Sequence, residues 1–181
     1  MAGKNPYEAV DNFLHPLQSV FACFTQAVLD HRGGYDPQKQ HVVLLPDDAP
    51  IQLKGDTEID LYFSHRYEVV QTDDRERGPW KVRSLGYRYR IDFRQGSAEL
   101  VSYHWHPDGK WKFPHLHVHP ETAIFAPNFR KAHFPTQRIS IEDVLETAVR
   151  EFGAKPLARR EGDWERILRE ARARFMMYKT W

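Results

Sequence analysis

The sequence predicts an α+β fold: an N-terminal helix, a central antiparallel β-sheet with a histidine-rich hairpin, and two C-terminal helices. Three observations predict it. Apolar residues recur at helical spacing near the start, the period changes to alternation from about residue 40 to 120, and capped helical runs return after residue 139. A chain of 181 residues, 41% apolar, can bury a core as one domain. Residues 1–34, 40–120 and 139–181 are accordingly read as three segments of a single domain.

In residues 5–32 the apolar positions Val10, Phe13, Leu14, Leu17, Val20, Phe21, Phe24 and Val28 share one helical face. Pro16 either kinks this helix or opens a second one, and Gly33-Gly34 ends it. Next, Ile59, Leu61 and Phe63 alternate with polar neighbours, as do Leu85, Tyr87, Tyr89, Ile91 and Phe93, the pattern of half-buried antiparallel strands. Residues 73–79 read as an exposed turn and Gln95-Gly96-Ser97 as a hairpin connection. Two further strands, 98–106 and 110–119, flank the turn Pro107-Asp108-Gly109. Pro127 and Pro135 bracket an irregular segment. Ser140 with Asp143 then forms a near capping box for a helix reaching Phe152, stopped by Gly153 with Pro156 beyond. Asp163 caps a last helix with Trp164, Ile167, Leu168, Ala171, Phe175 and Tyr178 on one face, while Arg166, Arg169, Arg172 and Arg174 lie mostly elsewhere.

Composition excludes several classes. No run approaches the 18 apolar residues of a membrane span. Glu8 and Asp11 interrupt the stretch where a secretory leader needs an unbroken apolar region, so the expectation is a soluble cytoplasmic protein. A single cysteine, Cys23, allows no internal disulfide and no thiolate metal site. Net charge is only +1, yet residues 129–181 carry 12 Lys/Arg against 8 Asp/Glu, a basic third that can face phosphates or simply solvent.

Histidine is the anomaly. Five of the ten fall between His104 and His119, and His133 lies just beyond. His115, His117 and His119 alternate and so share a strand face, as do His104 and His106 on the preceding strand. Register decides whether the sets meet: His106 opposite Lys110 points them apart, whereas His106 opposite Trp111 gathers five imidazoles on one surface. Three chemistries suit such spacing. Imidazoles at i and i+2 can grip a divalent transition metal, with Glu121 completing the set His115, His117, Glu121. Imidazoles can also act as acid and base toward phosphates. The third role is structural, with the rings hydrogen-bonded or stacked among Trp105, Trp111 and Phe113.

Two short motifs resemble known ones. Gly109, His115-x-His117 and Glu121 are similar to the first metal motif of the cupin barrels, although Asn128 stands where that pattern has glycine and no second motif follows. His115-Leu-His117-Val-His119 resembles the histidine-triad nucleotide hydrolases, which would make His117 the nucleophile, although Pro120-Glu121 replaces two apolar residues.

A longer resemblance covers residues 67–121. Tyr67-Glu68-Val69-Val70 is followed by a charged turn, Tyr87-Arg88-Tyr89-Arg90, a turn at Gly96, Leu100-Val101-Ser102-Tyr103, Gly109-Lys110 and His115-Leu116-His117-Val118. This order resembles the TumE family, proposed toxin partners of prokaryotic toxin–antitoxin pairs. The family's Tyr-Arg pair falls on Tyr89 and Arg90, its tyrosine on Tyr103 and its histidines on His115 and His117. Its Arg-Tyr-Asp is here Ser102-Tyr103-His104, and the chain is longer at both ends.

The resemblance implies a toxin-like component of a toxin–antitoxin or defence module, with an antitoxin protein as partner. The residues then suggest metal-free RNA cleavage, with His115, His117 and His104 as acid–base groups. In that reading Arg88, Arg90 and Lys110 contact phosphate, Tyr103 or Trp105 stacks a base, and no cofactor is needed. The alternatives are a metal-binding protein or metalloenzyme, and a non-catalytic domain for protein or nucleic-acid interaction.

Overall fold

Asn5 starts the first helix by accepting the Glu8 backbone N–H on its side chain at 2.9 Å, and Pro6 occupies the first turn, where its missing N–H costs nothing. The computed structural model describes residues 1–73, 77–94, 98–118 and 133–177. Its architecture is α+β: helices on one face of an antiparallel sheet. Helix α1 (Pro6–Phe21) runs through Pro16 and stops at Phe21, short of the expected end at Gly33-Gly34. The reason is local. The Gln18 amide donates to the Ala27 carbonyl at 3.0 Å and accepts from the Leu29 N–H at 2.8 Å, tying a non-helical return to the helix. Val28, which a continued helix would bury, is 72% exposed.

The strands, in chain order, are β1 (Ala2–Gly3), β2 (Asp30–Arg32), β3 (Gln40–Leu44), β4 (Ile51–Leu53), β5 (Ile59–Gln71), β6 (Trp80–Phe93), β7 (Ala98–Trp105), β8 (His115–Val118) and β9 (Phe134–Pro135). All pairings are antiparallel, in the order β2-β3-β5-β6-β7-β8-β9, with β1 added to β6 and β4 to β5. The second expected strand of the histidine hairpin shortens to His115–Val118. Trp111 and Phe113, at 49% and 75% exposure, lie outside it.

One face of the sheet makes the core. Ile59, Leu61, Phe63, Tyr67 and Val69 of β5 are buried beside Tyr87, Tyr89 and Ile91 of β6 and Val101 and Trp105 of β7. Each fully buried large apolar side chain there contributes about 1.5–3 kcal/mol. Phe13 of α1 packs on Tyr67 and Phe21 on Phe63. Helix α2 (Ile141–Phe152) adds Ile141, Val144, Leu145 and Ala148, and α3 (Trp164–Met177) adds Leu168 and Ala171. The expected cap of α2 is present: the Ser140 hydroxyl accepts from the Asp143 N–H at 3.2 Å, and the Asp143 carboxylate accepts from the Ser140 N–H at 2.9 Å. Gly153, in the left-handed region at φ +68°, closes it.

Among the described residues no α-helix packs on the opposite face, which carries only the short 3-10 turn Pro46–Asp48, and one glycine shapes it. A register shift between Arg66 and Tyr67 sets Gly86 opposite Arg66, where a Cβ would lie 2.6 Å from the Trp105 carbonyl oxygen and 3.1 Å from the Arg66 guanidinium. No helix among the described residues is long and apolar enough to cross a membrane. The Gln95-Gly96-Ser97 turn, Pro127 and Tyr178 lie outside the described residues.

Candidate functional site

β7 and β8 pair with Ser102 opposite His117, Tyr103 opposite Leu116 and His104 opposite His115. Even positions of β7 therefore share a face with odd positions of β8. That face is opposite α1, α2 and α3, because Val101 and Trp105 fill the core side. The pairing differs from His106 opposite Trp111 but has the same parity, and the imidazoles converge. Ring centroids are 5.7 Å apart for His104–His115, 5.0 Å for His104–His117 and 5.0 Å for His115–His117. One ring nitrogen of each of the three lies within 4.8 Å of the others.

Two further imidazoles border this trio. His106, at the next outward position, lies 5.2 Å from His104 and 6.4 Å from His115. β9 pairs with β8 and brings His133 to 5.0 Å from His115 and 4.6 Å from His117, where it also stacks on Trp111 at 4.6 Å.

Hydrogen bonds orient the rings. The Phe113 carbonyl can only accept, so His115 Nδ1–H donates to it at 2.8 Å, and Nε2 is not used by this bond. His104 contacts the Ser102 hydroxyl through Nε2 at 2.5 Å and His106 through Nδ1 at 3.4 Å. Burial, then the charges of His117, His106, Arg88 and His115, pull the His104 pKa down to about 3. Burial also lowers His106, helped by His115, Arg66 and Arg88, and lowers His117, helped by His133, His115 and His106. These three rings are held neutral, the form that offers a lone pair.

Not every expected site residue arrives here. Arg88, cross-strand from His104, and Arg90, cross-strand from Ser102, share the histidine face. Arg90 is engaged by Asp92 at 2.9 Å and lies 3.8 Å over the Tyr62 ring. Lys110 is exposed in the turn region between β7 and β8. Tyr103 and Trp105 occupy odd positions of β7 and point to the core side. Trp105 is 9% exposed under the Arg138 guanidinium, 3.6 Å from its ring centroid, and is not brought to the histidines. His119 and Glu121 lie outside the described residues.

Sequence reasoning missed Ser102, whose hydroxyl holds His104, and the role of β9 in delivering His133. It also missed a second polar group on the core side: His65 bonds Tyr89 Oη through Nδ1 at 2.7 Å and Ser84 Oγ through Nε2 at 2.9 Å. Its signal was a histidine at an apolar position of an alternating strand. Burial, then Arg138, pulls the His65 pKa down to about 3.

No family model, no curated protein and no solved structure matches this chain.

An unfolded histidine binds its proton near pH 6.5. His65 and His104 do so only near pH 3 in the fold, so both erode stability as pH falls through that window. Ring-carbon NMR is expected to show neither imidazole titrating between pH 7.5 and 5. A midpoint near 6.5 for either would contradict the burial described.

Proposed function

We propose that the helix-free face carries a histidine-ligated transition-metal centre, with His104, His115 and His117 as ligands. The observation that supports it is the convergence of three ring nitrogens within 4.8 Å on two paired strands. Imidazole donors suit zinc, copper, nickel and iron. Bonds of about 2.0–2.1 Å require the nitrogens to draw somewhat closer, by ring rotation and small strand adjustments. The His115 Nδ1–H bond to Phe113 supports the same reading, since an oriented second nitrogen fixes the ligating one. Three protein ligands would leave a position open, and a metal held there would supply a water acidified toward neutral pH.

Protein purified without chelators is expected to hold about one equivalent of a transition metal by elemental mass spectrometry, and His115→Ala to lose it. Zinc at a hundred times its Kd should raise folding stability by about 2.7 kcal/mol. Metal content of zero together with no zinc-dependent shift would contradict the centre.

A second reading, RNA cleavage by a toxin-like protein, is favoured by Arg88 and Arg90 sharing the histidine face. In this reading His117→Ala abolishes growth inhibition on expression without its antitoxin. Unchanged inhibition, or none from the unaltered chain, would count against it.

A further inference from the structure

A single rung crosses five strands on the helix-free face: Leu44 of β3 opposite Ser64 of β5, Ser64 opposite Arg88 of β6, Arg88 opposite His104 of β7, and His104 opposite His115 of β8. Neighbouring strands lie about 4.8 Å apart, so Arg88 stands one strand from the histidines and two from Leu44. The neighbouring cations of β6 are occupied, Arg90 by Asp92 and Arg83 by Glu68. Arg88 is exposed and makes no hydrogen bond or ion pair among the described residues. On its far side opens a pocket of about 190 Å³ whose lining includes Leu44, Asp48, Ala49, Tyr62 and Ser64. Asp47 and Asp48 hold left-handed backbone, at φ +57° and +55°, and this strained pair sets Asp48 at the pocket rim.

We propose that this rung binds a small phosphorylated ligand, with the phosphate on Arg88 beside the histidine centre and an uncharged ring in the Leu44–Tyr62 pocket. The proposal rests on the metal reading for its second positive charge. A guanidinium binds carboxylate and phosphate alike through paired N–H donors. A metal one strand away adds further charge, which a doubly charged phosphate exploits better than a carboxylate does. Leu44 and Ala49 supply apolar wall, Tyr62, one face of which Arg90 covers, adds aromatic lining, and Asp48 can accept a ligand hydroxyl.

Phenylphosphonate, which combines a phosphate-like dianion with a small ring, is the probe, titrated calorimetrically into the zinc-loaded full chain. It should bind at one equivalent, more tightly than benzoate. Arg88→Gln should weaken it about tenfold or more, as loss of a charge-assisted hydrogen bond does. Arg83→Gln should leave it unchanged. Absent binding to protein that holds zinc normally, or equal affinity in Arg88→Gln, overturns the anion site and leaves the metal reading standing. Should zinc itself not bind, the metal reading fails separately. The same titration on the metal-free chain then decides: Arg88-dependent binding supports the anion site and its absence overturns it.

Discussion

The strand register between β7 and β8 is the constraint on which the rest depends. With His104 opposite His115, three imidazoles meet; a slip of one residue would turn the β8 histidines into the core and leave His104 without them. What opposes the slip is apolar. Val101 and Trp105 are buried on the core side, with Leu116 packed against the same cluster. The slip would expose Leu116 and press unpaired imidazoles of β8 toward Val101 and Trp105, each a polar group that is costly to bury without a partner. Packing on one side of the sheet thus fixes chemistry on the other.

The two faces treat histidine differently. On the core side, both nitrogens of His65 are satisfied by Tyr89 and Ser84, and burial keeps the ring neutral, so it serves as a structural polar link between β5 and β6. On the free face the imidazoles crowd one another, and for His115 only one nitrogen is used by the fold. His104 is held through both nitrogens, by Ser102 and His106, but the close approach of the His104, His115 and His117 rings brings no hydrogen bond among those three. A shared cation would bring ring lone pairs into use, and Arg88 extends the positive rung toward the Leu44 pocket.

Much of this was legible in the sequence. Alternation located the long strands, and Ser140, Asp143 and Gly153 marked both ends of α2 because capping is local chemistry. Parity along β7 also carried more than was drawn from it. Once His104 and His106 face outward, Tyr103 and Trp105 must face the core, so they cannot stack a base beside the histidines. Less legible were features set by tertiary pairing. The end of α1 is decided by the Gln18 side chain reaching Ala27 and Leu29, which no periodicity reveals. His133 joins the cluster through the two-residue strand β9, too short to leave a pattern. The register itself needed the core on the far side of the sheet.

X-ray absorption spectroscopy of the zinc-loaded chain tests the histidine centre most directly. The expected spectrum has a first shell of nitrogen at about 2.0 Å with outer-shell scattering from at least three imidazoles, reduced by one in His104→Gln. A shell without imidazole scattering, or one unchanged by that substitution, would contradict it.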